Sequence, residues 1–207
     1  MFESQIKKRY FKFGKRVCQG DILKEVAIYL GFSKRETDGG IKIKDFYPKY
    51  VVVLSQDCDL ESDCIEREKN KEKKKLGEVE VQDKYLPTIL LCPAYPINDF
   101  IEGKHIAEWK MSNDLKHEKK VKKLKKNDDL KRYHYLAGDA SNGIPELVVD
   151  FKHFMTVPRD ELYEVHPDVY VSTLCELFRE ELSQRFTNYL SRIGLPVFSN
   201  EIDAKNK

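Results

Sequence analysis

The chain has 207 residues, of which 35% are charged, yet 37 Lys and Arg against 35 Asp and Glu leave a formal net charge of only +2. This length allows one domain with insertions and leaves no room for two full-sized domains, and the balanced charge argues neither for nor against nucleic acid. The sequence has no apolar run long enough to cross a membrane, no apolar core of a secretory signal, and five scattered cysteines. We therefore expect a cytoplasmic protein without a membrane partner and with free thiols.

Residues 1–18 form a basic and aromatic N-terminal arm, in which Lys7 to Arg16 mixes cations with Tyr and Phe. Such a mixture can stack on bases and contact phosphates. The interpretation we favour is an edge strand, or an arm that packs its aromatic rings on the body of the protein.

The central part, residues 19–162, alternates short apolar runs with turn residues, which predicts a mainly β domain with an appended α-helix. A Gly20-Asp21 turn begins a strand that runs towards Tyr29. Val51–Leu54 is a run of β-branched and aliphatic residues that predicts a strand buried on both faces. Further strands are predicted at Thr88–Pro93, Arg132–Leu136, Glu146–Phe151 and Phe154–Pro158.

Two charged segments interrupt this pattern, at about 61–84 and 104–132. Each has too few apolar residues to build a core of its own, so we expect solvated insertions that are partly helical or disordered. The second contains the dense basic group Lys119, Lys120, Lys122 and Lys123. This group is either a solvated helix face or a phosphate-binding surface.

The end of the chain, residues 168–195, has apolar residues at every third or fourth position, which predicts one long amphipathic helix ending at Gly194 and Pro196. We expect Phe178, Leu182 and Phe186 to pack against the protein's own barrel. A partner interface is the alternative for this apolar stripe, and the oligomeric state is left open.

The order of these motifs, namely a Gly-Asp opening, a strand ending in Ser-Gln-Asp, a strand ending in Cys-Pro and a late Val-Val-Asp-Phe element, resembles the PemK/MazF-like toxin superfamily. The resemblance implies an SH3-like barrel and, for some members, sequence-specific endoribonuclease activity in toxin–antitoxin systems. Lys49 and Tyr50 stand where the ribonuclease members have Arg-Pro, and Ala94 and Tyr95 where a Thr or Ser usually follows the Pro of the next strand. These differences favour a binding role over inherited catalysis.

Polar side chains follow the buried strand directly: Ser55, Asp57, Cys58 and Asp59. A buried strand that ends in such groups is a common way to build a site. Cys58 could act as a nucleophile with His134 as its base. The two adjacent carboxylates, however, favour the neutral thiol over the reactive thiolate. The alternative is a structural turn in which Asp57 and Asp59 act as caps. His134 is otherwise a hydrogen-bonded barrel residue, and His153 and His166 are placed in turns outside any constellation.

No cofactor is expected from the sequence. Asp57, Asp59 and Asp63 with Ser55 could offer oxygen ligands to Mg²⁺, but their spacing matches no ion-binding loop. Zinc has weaker support still, because Cys58, Cys64 and His134 lack a fourth, closely spaced ligand.

The sequence therefore supports three functions. The first is a module of a bacterial conflict, defence or toxin–antitoxin-like system whose barrel binds a partner protein and, through Lys49 and the Lys119–Lys123 group, RNA or DNA. The second is a toxin-type endoribonuclease, or another nucleic-acid-processing enzyme, that uses the Ser55–Asp59 group. The third is a Cys58/His134 hydrolase. Whether the protein is an enzyme is left open.

Overall fold

The computed structural model describes residues 5–7, 16–34, 41–79, 81–105, 117–128 and 130–192, which form a mixed α/β fold. The strands are β1 (Ile6–Lys7), β2 (Asp21–Lys24), β3 (Ile28–Lys34), β4 (Ile41–Phe46), β5 (Tyr50–Val53), β6 (Thr88–Pro96), β7 (Tyr133–Leu136), β8 (Leu147–Asp150), β9 (Met155–Pro158) and β10 (Tyr170–Leu174). The α-helices are α1 (Asp57–Leu76), α2 (Ile97–Ile101), α3 (Glu118–Lys125), α4 (Arg159–Val169) and α5 (Glu176–Leu190). The prediction of a mainly β fold is corrected, because helices cover both faces of the sheet.

Eight strands form one antiparallel sheet that curls into a half-barrel, in the order β1-β10-β2-β5-β6-β8-β7, with β9 paired to the first half of β6. β3 and β4 make a separate hairpin. The predicted strand Val51–Leu54 lies at the centre as β5, where Val51, Val52 and Val53 are all fully buried. The prediction of a strand buried on both faces is therefore confirmed.

The two faces of the sheet bury different side chains, as the period of two along a strand requires. On one face, residues such as Val52, Cys92 and Val149 pack with α5. On the other face, Val51 and Leu91 pack under α1 and α4. The same face continues under α2 and α3 at the far end of the sheet, in a cluster composed of Tyr95, Ile97, Phe100, Leu124, Tyr135 and Val148.

The strand predicted to stop at Pro93 continues to Pro96 as β6. On one edge, β9 pairs with Thr88–Leu91 and β8 with Ala94–Pro96, so Pro93 falls where the ladder changes partner. Proline is tolerated in a strand at such a break, since no ladder hydrogen bond has to be given up there.

The C-terminal segment is not one helix over 168–195. Tyr170–Leu174 is strand β10, which pairs with β1 and β2, and α5 begins after Cys175. Val171 and Thr173 are β-branched and favour a strand. Their distances of three and four residues to Leu174 and Leu177 match the period of a helix only by coincidence. A separate helix, α4, precedes β10, and residues 193–195 lie outside the described residues.

Two of the three α5 residues expected to pack on the body are buried. Leu182 is 1% and Phe186 8% exposed, and the Phe186 ring lies 5.4 Å from the rings of Phe151 and Phe154. Phe178 is half-buried. α5 is thus fixed to the sheet by the middle of its apolar stripe.

The first charged segment is partly helical, as expected: it belongs to helix α1, which begins at Asp57 and ends at Leu76 with a left-handed Gly77 as its C-cap, but it is not wholly solvated. Its inward face is polar: Asp63, Glu66 and Asn70 are buried. Asp63 binds Arg67 and Arg159 at 2.8 and 2.9 Å and accepts a hydrogen bond from the Leu86 backbone N–H. Buried polar groups are satisfied here by partners far along the chain, which composition alone does not reveal.

Parts of the remaining predictions fall outside the described residues, namely 1–4 and 8–15 of the N-terminal arm and 106–116 of the second charged segment. Within the arm, Ile6–Lys7 is the edge strand β1. Within the second segment, α3 packs Leu124 into the core and exposes most of its lysines. In the described part of the chain, no helix has the length and apolar character needed to span a membrane.

Candidate functional site

The polar group predicted as a site, Ser55–Asp59, lies at the junction of β5 and α1. Gln56 is the extended N-cap of α1, and Asp57 and Asp59 occupy its first turn. Acidic side chains there interact favourably with the positive end of the helix dipole. The group is therefore a strand-to-helix connection, in which Asp57 and Asp59 follow the N-cap of α1 instead of capping a turn.

Asp57 joins three separate parts of the chain. Arg16 Nη1 and Nη2 each lie 3.2 Å from one carboxylate oxygen, the Gln19 backbone N–H donates to Oδ1 at 3.2 Å, and Arg179 Nη1 lies 3.5 Å from Oδ2. Burial opposes ionisation, but the hydrogen bond and charge of Arg16 outweigh it and hold the pKa of Asp57 below its usual value. An ionised, fully engaged carboxylate serves as an anchor for Arg16, Gln19 and α5.

The other members of the group have different surroundings. Ser55 Oγ accepts a hydrogen bond from the Leu90 backbone N–H at 2.8 Å, which extends the contact of β5 with β6. Cys58 and Asp59 are exposed. The Cys58 thiol donates to Gln56 Oε1 at 3.6 Å and to Asp59 Oδ1 at 3.7 Å, so oxygen acceptors and not a base surround it.

The structure does not bring His134 to Cys58. His134 is 1% exposed on β7, with its ring 6.3 Å from that of Phe151. β7 is separated from β5 by β8 and β6, a distance of about 14 Å along the sheet at the usual strand spacing. Burial, with the charge of Arg185, lowers the pKa of His134 to about 3, and the residue is a neutral core histidine.

Two of the three carboxylates considered as cation ligands, Asp57 and Asp63, are already engaged by arginines, whereas Asp59 is exposed. Both oxygens of Asp57 contact guanidinium groups, and so do both oxygens of Asp63. Such an arrangement does not fit a hard cation, which needs several free oxygen ligands. Among the described residues there is also no group of three or more His, Cys, Asp and Glu side chains that could hold a metal ion.

The predicted nucleic-acid contacts lie at the opposite end of β5. Lys49 precedes β5 and Ser55 follows it, so the two are separated by about 20 Å at the usual rise of a strand. The Lys49 side chain is 68% exposed and its Nζ lies 2.7 Å from Asp99 Oδ2 on α2. α3, which packs beside α2, carries five lysines and one glutamate. Lys119, Lys122 and Lys123 are exposed there and Lys120 is half-buried.

An unpredicted polar cluster lies beside α2, the helix whose Asp99 pairs with Lys49. Asp150 is fully buried at the end of β8 and forms a two-pronged pair with Arg132, with Nε–Oδ1 and Nη2–Oδ2 distances of 2.7 Å each. The 3₁₀ turn Phe151–His153 follows and places His153 Nδ1 3.3 Å from Asp150 Oδ2. The same Nδ1 lies 3.2 Å from the Tyr95 hydroxyl on β6.

His105 completes this cluster from the segment that follows α2. Its ring centroid lies 4.8 Å from that of Tyr95 and 4.7 Å from that of Phe100. Burial lowers the pKa of both His105 and His153 against the opposing charge of Asp150, while burial and Asp150 together raise the pKa of Tyr95. At neutral pH the cluster therefore combines two neutral imidazoles, a protonated phenol and the Arg132 cation, so that a free imidazole nitrogen can accept a proton beside an anion.

Sequence reasoning missed this cluster because its members are distant along the chain. His153 was placed in a turn, which the structure shows, but outside any constellation, which the structure contradicts. Asp150 and His153 are three residues apart and give a local signal, whereas Tyr95 lies 58 residues from His153. Only the pairing of β6 with β8 brings these residues together.

Comparison of the chain with protein-family models finds no match, and comparison with curated proteins finds none.

Proposed function

We propose that this protein binds single-stranded RNA at the end of the sheet where Lys49, α2, α3 and the Tyr95–His105–His153 cluster meet. The observation that carries the proposal is the convergence of exposed cations and an exposed aromatic ring on a neutral histidine cluster. Tyr47, two residues before Lys49, is 60% exposed, and Phe46 beside it packs on the core cluster of α2 and α3. Stacking on an aromatic ring and ion pairing with phosphates are the two contributions from which single-strand binding is commonly built.

The charge of this surface supports a polyanionic ligand. Lys122 pairs with Glu118 and Lys125 with Glu146, both on the surface, so these lysines are not buried and can exchange partners. Surface ion pairs of this kind contribute only about 0–1 kcal/mol and are readily replaced by phosphate. The balanced net charge of the whole chain thus conceals a local excess of cations around α3.

Binding is tested by fluorescence anisotropy with a labelled 20-nucleotide RNA over a salt series. Combined substitution Lys49→Ala, Lys119→Ala and Lys122→Ala is expected to weaken binding at least tenfold and to reduce the slope of log affinity against log salt by about 2, since each phosphate contact contributes about 0.7 for single strands. Lys69→Ala, Lys71→Ala and Lys74→Ala, on the exposed face of α1, form the charge-matched control. Equal losses in both triple variants, or preference for DNA over RNA, would contradict the proposal.

A second candidate, RNA cleavage without a metal ion, is supported by the two neutral histidines. In this proposal one neutral imidazole accepts the proton of the attacking 2′-hydroxyl, and the other, protonated when the phosphate anion of bound RNA raises its pKa, donates its proton to the leaving 5′-oxygen, while Arg132 stabilises the charge of the phosphate. The Ser55–Asp59 group has less support for this role, because Ser55 and Asp57 already hold structural hydrogen bonds.

Cleavage is tested with mixed RNA in the presence of EDTA. Activity in the wild type that His153→Asn and His105→Gln each reduce about 100-fold or more, while RNA binding is retained, is the expected result for general acid–base groups. Asp59→Ala, in the Ser55–Asp59 group, serves as the comparison variant. Loss of cleavage in Asp59→Ala alone would move the reaction to that group, and full activity in both histidine variants would exclude this candidate.

The wider role that we propose is a component of a bacterial conflict or toxin–antitoxin-like system, as the resemblance to PemK/MazF-like proteins implies. Induced expression of the wild type is expected to slow growth, and the Lys49/Lys119/Lys122 triple variant to relieve this effect. Normal growth at equal expression levels would contradict a toxin role.

A further inference from the structure

A groove on the α1 and α4 face combines an apolar floor with an acidic rim. It lies between the connection from β2 to β3 and helix α4, and its cavity has a volume of about 420 Å³. Val26, Val157 and Leu162 form the floor and are buried. Volumes of this size are typical of pockets that take up apolar groups.

Apolar side chains of the groove also reach solvent. Tyr29 is 55% and Val165 41% exposed, on opposite sides of the groove. Isolated exposed apolar residues need no explanation, but two of them flanking a cavity form a continuous apolar surface of the kind found at interaction sites.

The rim is acidic on both sides. Glu25 lies at the end of β2, and Glu161 and Glu164 lie on α4; all three are exposed and line the cavity. Within residues 16–34 and 130–192, none of the three forms an ion pair. The surface therefore offers separate negative charges around an apolar floor, and its complement is a segment with apolar side chains on one stripe and cations beside them.

We propose that this groove docks a lysine- or arginine-rich amphipathic helix of a partner protein, with aliphatic side chains on the floor and cations paired with Glu25, Glu161 and Glu164. Helix-in-groove docking presents anchors at positions i, i+3, i+4 and i+7, which suits a cleft along α4. The groove is lined by side chains other than those proposed to bind RNA, since α4 covers the core of Val51 and Leu91 whereas α3 covers that of Tyr95 and Val148.

The probe for this proposal is a labelled 16-residue helical peptide composed of Leu at i, i+3, i+4 and i+7 positions and Lys elsewhere. Its anisotropy is measured with the full chain, beside that of a peptide with Glu in place of every Lys. Binding of the Lys peptide alone, weakened at least tenfold by Glu161→Lys with Glu164→Lys, is the expected result. Glu72→Lys with Glu180→Lys changes the net charge equally at exposed positions on α1 and α5 and should leave binding within twofold.

The apolar half of the proposal has its own test. Val165→Ser should weaken binding of the Lys peptide about threefold to tenfold at all salt concentrations, whereas Leu190→Ser, which removes a side chain 51% exposed on α5, should not. Unchanged melting temperatures show that each variant is folded. Equal binding of the Glu peptide, equal loss in the two charge-reversal pairs, or a dimer in sedimentation that Glu161→Lys abolishes would each overturn the docking of a basic partner helix.

Discussion

His134 makes the stability of the fold depend on pH. In the unfolded chain its imidazole titrates near the usual pKa of about 6.5, whereas in the folded state burial lowers the pKa to about 3. The unfolded state therefore binds a proton in this interval that the folded state does not. The contribution of His134 to stability is fully present above about pH 6.5 and is lost as the pH falls towards 3.

We expect His134→Leu to reduce this acid sensitivity. Nδ1 of His134 has no hydrogen-bond partner among the described residues, so an apolar side chain of similar size can replace the ring at low cost. The fall in melting temperature between pH 7.5 and pH 5 should be smaller in this variant than in the wild type. His117→Leu, which changes an exposed histidine, should leave the fall unchanged. The same fall in His134→Leu and in the wild type would show that other groups dominate.

Helix α1 is fixed to the rest of the chain by polar contacts more than by apolar ones. Asp63 is 1% exposed and is shared by Arg67 of the same helix and Arg159 at the start of α4. The guanidinium groups of these arginines also lie over the rings of Tyr85 and Tyr163, at 4.2 and 3.5 Å from the centroids. One carboxylate thus connects α1, α4 and the segment that leads into β6.

Asp63→Asn should lower the free energy of unfolding by about 3–5 kcal/mol, because it removes the buried counter-charge of two largely buried guanidinium groups and leaves them only the exposed carboxylate of Asp160. Urea unfolding monitored by circular dichroism measures this loss. Glu72→Gln makes the same chemical change at an exposed position of α1 and should cost less than about 0.5 kcal/mol. A loss below 1 kcal/mol in Asp63→Asn would mean that apolar packing alone holds α1.

Across the whole molecule, α5 closes one face of the sheet. Phe186 contacts the rings of Phe151 and Phe154, so truncating it leaves a cavity between α5 and the sheet. Phe186→Ala should cost about 3–5 kcal/mol in the unfolding free energy of the monomer. Leu177→Ala, on the same helix but 71% exposed, should cost far less. Unchanged unfolding with loss of self-association would instead assign this stripe to an interface.

Much of the sheet could be predicted from the sequence, because runs of mostly β-branched residues such as Val51–Val53 and Leu147–Val149 are typical of strands buried on both faces. The helices were harder to predict from the sequence. The low apolar content of α1 indicated solvent exposure, while its buried polar face depends on Arg159, 96 residues from Asp63. α4 did carry a signal: Pro158 and the acidic Asp160 and Glu161 precede apolar residues at helical spacing.

The candidate site could likewise be predicted from the sequence only in part. Local sequence identified Lys49 and the Ser55–Asp59 group, because both flank a strand that is easily recognised. It did not show that these lie at opposite ends of β5, nor that Tyr95 and His153 meet. Those relations depend on which strands are neighbours, and the pairing of β6 with both β8 and β9 is set by the whole chain.

The position of β10 has a consequence for how the molecule assembles during synthesis. β10 lies between β1 and β2, pairing Thr173 with Asp21 and Leu174 with Ile6, although it is the last strand of the sheet to leave the ribosome. Until β10 has been synthesised, one edge of β2 is unpaired in the nascent chain, and β1 has no strand to pair with in the described sheet. Contacts across such sequence separations form slowly and open edges pair with other chains, so we expect the nascent protein to be most exposed to aggregation in this period.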